Sequence, residues 1–99
     1  MKRQTQTFIP SVHFGEADAV NGEITAYGLV MHRSLAVSLD KWGYYDVSDP
    51  ATGMLVCYGL FPGRLGAVCA LVQLAASHRG KIRERLQQAR EGILKNNVT

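Results

Sequence analysis

The chain has 99 residues, 46% of them hydrophobic and 19% charged, with a formal net charge of +3. That length holds a single domain, 1–99, with one core, and that composition excludes a disordered chain or a disulfide-stapled miniprotein. No apolar run approaches the roughly 18 residues that cross a bilayer, and the basic start MKRQTQTFIP leads into polar residues and not the apolar core of an export signal, so a cytoplasmic protein is expected.

In chain order, residues 6–14 (QTFIPSVHF) read as a short strand that Pro10 confines to a sheet edge. GEADAVNG at 15–22 reads as a loop closing on Asn21-Gly22. Residues 23–31 alternate Ile24, Ala26, Gly28 and Val30 against Thr25, Tyr27, Leu29 and Met31, as an interior strand would. SLAVSLD at 34–40 has two solutions. Leu35, Val37 and Leu39 alternate as on a strand, which is preferred because Val37 is β-branched; the alternative is a short helix capped by Ser34, with Leu35, Leu39 and Trp42 on one stripe and Gly43 ending it.

YYDVSDPATGMLVCY at 44–58 reads as a hairpin. Pro50 and Ala51 suit consecutive helical backbone positions, and Gly53 supplies the left-handed residue that closes a four-residue loop. That loop sets Asp49 opposite Met54, Val47 opposite Val56 and Tyr45 opposite Tyr58. A carboxylate just before proline also accepts hydrogen bonds from the loop's free N–H groups.

After Pro62 the period changes to helical. Leu65, Val68, Cys69, Val72, Leu74, Ala75 and Ala76 form a broad apolar surface over 64–78, expected to pack on a sheet. Gly80 caps or kinks this helix. Residues 81–95 then place Ile82, Leu86, Ala89 and Ile93 on a narrower stripe among charges. The whole reads as α+β: an antiparallel sheet of three to four strands, followed by one long or two consecutive C-terminal helices packed on it.

Catalytic patterns are missing from the sequence. His13, His32 and His78 have no metal-ligand spacing, and Cys57 and Cys69 form no C-x-x-C pair and are expected as buried thiols. Asp46 and Asp49 read as strand and turn residues, and GLFPGRLG lacks the lysine and spacing of a phosphate loop. No catalytic residue, metal site or cofactor is expected, and the chain reads as a binding protein and not an enzyme.

The aromatic residues point to contacts. Trp42, Tyr44, Tyr45, Tyr58 and Phe61 gather around one hairpin, with Tyr44 and Asp46 on the face opposite Tyr45. An exposed Tyr beside Asp has the composition of a protein-binding patch; the alternative is that the N-terminal segment covers that face. Between Arg79 and Lys95 there are six basic and two acidic residues, a local charge of +4 that leaves −1 for the rest of the chain. Trp42, Tyr44, Asp46, Arg83 and Arg90 are the expected partner contacts. Arg79, Lys81, Arg83 and Arg85 would serve the alternative, a nucleic-acid backbone, and a second copy of the chain is a third partner to consider.

One resemblance adds to this. His32-Arg33, followed by Tyr45, Val47, Ser48, Thr52 and Gly53 in the hairpin and then an Ala- and Leu-rich helix, resembles small accessory proteins of phages and conjugative elements. The likeness covers about 27–78, and such proteins include anti-CRISPR inhibitors. It implies a non-enzymatic inhibitor that occludes a subunit of a host defence complex. The basic charge departs from the acidic inhibitors that mimic DNA, so DNA mimicry is not the expected mechanism.

Overall fold

The computed structural model describes residues 4–11, 18–79 and 81–98. His13, Gly80 and the side chain of Ile93, all given roles above, lie outside the described residues. The architecture is α+β, with five strands where three to four were expected. β1 (Thr5–Phe8), β2 (Val20–Ile24), β3 (Val30–Arg33), β4 (Tyr45–Ser48) and β5 (Leu55–Tyr58) pair antiparallel in that order. Asn21-Gly22, read above as a turn, lies within β2 and pairs with Thr7 and Gln6 of β1. Glycine is needed at 22 because a Cβ there would collide with the Met31 carbonyl.

Residues 34–40 form no strand: α1 (Val37–Lys41) takes the helical alternative, with Ala36 and not Ser34 at its N-cap. Local groups outweigh the alternation. Ser34 Oγ accepts the Ala36 amide at 3.2 Å, and the Asp40 amide donates to the Ala36 carbonyl at 2.9 Å. Arg33 Nε donates to Asp40 Oδ1 at 2.8 Å, closing the turn from β3 onto the helix. Gly43 then ends it at φ 83°.

The hairpin forms, with a changed register. The Asp49 amide donates to the Met54 carbonyl at 2.9 Å as expected, but Val47 faces Cys57 and Tyr58 faces Asp46. A bulge between Val47 and Ser48 admits Val56 as an extra residue on β5, which shifts every later pair by one. Tyr45 and Tyr58 therefore lie on opposite faces.

Two helices follow, α2 (Arg64–Ser77) and α3 (Ile82–Val98), joined by a turn in which Arg79 has φ 50°. α2 lies over β4 and β5. It seats its small side there, with Gly66, Ala67, Ala70 and Leu71 buried. Leu65, Val68 and Val72, expected to pack on the sheet, stand in solvent instead. Small residues let the helix approach closely, and the Leu60 amide bonds the Gly66 carbonyl at 3.1 Å, folding the preceding loop onto the first turn.

The core on this side joins Leu29, Met31, Val47, Ala67, Leu71 and Ile82. The other face of the sheet is buried too, but polar. Pairing of Val30 with Ser48 and of His32 with Asp46 sets these four together, and all are buried. Phe8 reaches this face from β1, its ring 5.3 Å from that of His32. The segment after it is held by Ser11 donating to the Gly53 carbonyl at 2.8 Å, beside a Gly53 whose φ of 72° and lack of Cβ permit the approach. The N-terminal segment thus covers part of the second face.

Asp49 carries a long-range link to the last helix. Its carboxylate accepts the Ala51 amide at 3.2 Å, as the turn chemistry predicts, and also takes two bonds from Arg90, Nε at 3.1 Å and an Nη at 3.0 Å. That forked pair, 41 residues apart, pins the hairpin to α3. Truncating Arg90 to Ala strands a carboxylate whose side chain is 2% exposed. Urea unfolding should show a loss of about 1–3 kcal/mol. Arg90→Lys should recover only part of it, because an ammonium cannot make the fork. An unchanged midpoint in the alanine variant would show that the pair contributes nothing.

Candidate functional site

The buried polar face has the residue types of a hydrolytic site, so its geometry decides what it can do. His32 Nδ1 lies 2.7 Å from the Arg33 carbonyl, which can only accept, so that nitrogen carries the proton. In the neutral ring Nε2 is then the acceptor, and Ser48 Oγ donates to it at 2.8 Å. Ser34 Oγ donates to Asp46 Oδ2 at 3.1 Å, while Asp46 Oδ1 is buried without a hydrogen-bond partner. His32 and Ser48 are 2% and 1% exposed. Asp46 does not orient His32; a backbone carbonyl does. A nucleophile needs a place for substrate beside it, and both side chains are withdrawn from solvent. The cluster therefore satisfies buried polar groups and fixes β3 against β4.

The expected contact residues fall into separate settings. Trp42 is 72% exposed in the turn after α1. Tyr44 is half-buried beside it. Asp46 is buried, which corrects the expectation that it stands with Tyr44 on an open face. The strand alternation is right, but that face is interior. Arg83 is exposed, its guanidinium 5.5 Å from the centre of the Tyr27 ring. Arg90 is engaged by Asp49, whose hydrogen bonds hold its guanidinium more firmly protonated than usual. So Trp42 and Arg83 are open to a partner, Tyr44 is open in part, and Asp46 and Arg90 serve the fold.

Around Trp42 the structure adds Leu60 and Val37 to the aromatic residues already grouped there. The Gly63 amide donates to the Gly43 carbonyl at 2.9 Å, and Tyr44 pairs with Gly63 as a parallel bridge. The turn 42–44 and the loop 60–63 therefore run side by side. Trp42 is exposed on one and Leu60 and Phe61 on the other, with Val37 of α1 85% exposed shortly before Trp42 in the chain. A sequence signal existed in the apolar residues flanking Gly43 and Gly63; the contact between the two loops was not encoded locally.

Among the described residues no group of three or more His, Cys, Asp or Glu side chains gathers to hold a metal ion, and no helix is long and apolar enough to cross a membrane. Cys57 and Cys69 are free and half-buried. No family model, curated protein or solved structure matches the chain.

Burial, and secondarily the charge of Asp46, push the Cys57 thiol up from 9.0 to about 11. A raised thiol pKa means the folded chain holds the neutral form. Its contribution to stability is complete below pH 9.0 and is lost as pH rises toward about 11. At pH 8, iodoacetamide should therefore alkylate Cys57 about 100-fold more slowly in the native protein than after unfolding in urea. Equal rates would show an open, reactive thiol.

Proposed function

We propose that the chain is a non-enzymatic binding protein that works by covering a partner's surface. The observation that carries this reading is the exposure of Trp42, Phe61 and Leu60 on two turns clipped to each other by the Gly63–Gly43 backbone hydrogen bond and the Tyr44–Gly63 bridge. A tryptophan exposed in this way on a rigid support has the chemistry of an interface anchor, since Trp is among the residues enriched at binding hot spots. The Ser48–His32 pair, withdrawn from solvent, favours binding over hydrolysis. The resemblance of His32-Arg33 and the hairpin to mobile-element proteins supplies the partner class: a protein subunit of a host CRISPR–Cas complex. The net charge of +3 argues for occlusion of a protein surface and against imitation of DNA.

In bacteria whose CRISPR–Cas interference clears a targeted phage, expression of the chain should restore plaques. Trp42→Ala removes an exposed side chain and should leave the circular dichroism spectrum and melting midpoint unchanged. It should cost at least about 2 kcal/mol of partner affinity, roughly a 30-fold loss. Wild-type protein that never restores plaques, or a Trp42→Ala variant that matches it, would sink this reading.

A second reading rests on Arg79, Lys81, Arg83 and Arg85, all exposed at the start of α3 and without an acidic partner among the described residues. Such a cluster suits a phosphate backbone. A DNA duplex of about 30 base pairs should then be retarded at about 50 mM salt and released steeply as salt rises. Substituting Arg83 and Arg85 by Gln should lower the salt slope by about one for each phosphate no longer neutralised. No retardation at low salt removes this alternative.

A further inference from the structure

We infer that a cleft beside α2, together with a basic depression that adjoins it at Tyr27, is a binding site for a single-chain amphiphile with an anionic head, of the long-chain carboxylate class. The cleft has a volume of about 320 Å³, at the lower end of small-molecule sites. Met31 and Val47 of the sheet line it, with Val68, Val72 and Ala75 of α2 and with Tyr27. The hydroxyl of Thr25 at its edge is already committed to the Leu29 carbonyl at 3.0 Å, so it offers a ligand no free donor. An apolar body is what these walls accept.

Beyond Tyr27 the surface changes sign. A second depression of about 420 Å³ is lined by Tyr27, Gly28, Arg83, Leu86, Gln87 and Arg90. Arg90 is held in its fork with Asp49. Arg83 holds its guanidinium carbon 5.5 Å from the centre of the Tyr27 ring and has no acidic partner among the described residues. A cation–π approach of this kind leaves guanidinium N–H groups for a carboxylate. Tyr27 is the one residue common to both depressions. A ligand lying across it places an alkyl chain against α2 and an acidic head against Arg83. The charge excludes a cationic head. This site is independent of the Trp42 surface, which supplies a control.

The test is a titration of the full-length, ¹⁵N-labelled chain with submicellar dodecanoate, followed by amide and Arg Nε–H chemical shifts. Saturable shifts confined to residues 25–31, 67–76 and the Arg83 side chain are expected. Arg83→Gln should weaken binding about tenfold. Val72→Glu, at a position 63% exposed and so tolerant in the fold, should abolish it. Trp42→Ala should leave it unchanged, even if the partner-binding reading fails. Two further arms separate ligand classes. Dodecyltrimethylammonium should bind at least tenfold more weakly, and vesicles of phosphatidylglycerol should compete no better than the free carboxylate. No saturable shift up to about 1 mM, equal binding of the cationic amphiphile, or binding to vesicles without binding to dodecanoate would each overturn the proposal.

Discussion

The buried carboxylate of Asp49 is the constraint on which the rest of the molecule turns. It closes the β4–β5 loop by accepting backbone and Thr52 hydroxyl hydrogen bonds, and it holds α3 through the Arg90 fork. A carboxylate withdrawn from water is costly unless its lone pairs are filled. The hairpin loop fills some of them and Arg90 the others. The position of α3 follows from where that charge is buried. Ile82 and Leu86 then reach the core, and Arg83 comes to rest over Tyr27.

The sheet separates two kinds of interior. On the helix side, Met31 and Val47 meet small residues of α2, and packing is the stabilising term. On the other side, His32, Ser48, Ser34 and Asp46 are buried and held by directed hydrogen bonds. Hydrogen bonds of this kind tolerate little sliding between strands, so they set the β3–β4 register that the apolar side alone would leave loose. The unpartnered Asp46 oxygen marks where this satisfaction is incomplete. The N-terminal segment brings Phe8 to the His32 ring and is tied to Gly53 by the Ser11 amide, which makes it part of this interior and not an appendage.

Much of this was legible in the chain, and the failures have physical causes. The hairpin, its turn residues and the helical character after Pro62 are local, and local chemistry settled them. The spacing of His32 with Ser34, and of Asp46 with Ser48, already set these side chains on common strand faces, and cover by the N-terminal segment was the alternative to an open face; composition could not choose between them, because the contacts from Phe8 and Ser11 are long-range. The alternation of Leu35, Val37 and Leu39 misled because Arg33, Ser34 and Asp40 satisfied the backbone as a helix first. The register beyond Ser48 was hidden because a bulge costs nothing visible in composition: Val56 and Cys57 are both good strand residues, and either could face Val47. Arg90 looked like a surface cation because its partner lies 41 residues away.

The same geometry explains why apolar surface is left over. Five strands at about 4.8 Å spacing make a sheet about 19 Å wide, while a packed helix covers about 10 Å of it. α2 lies over β4 and β5, so the helix face nearer β3 is only partly roofed, and the cleft of about 320 Å³ is the space beside it. α2 is apolar on sides that the sheet does not reach, as Leu65, Val68 and Val72 show. A helix apolar all round ordinarily belongs in a larger interior. Here the sheet roofs only the side of α2 that carries Gly66, Ala67, Ala70 and Leu71, so the apolar side opposite is left at the surface.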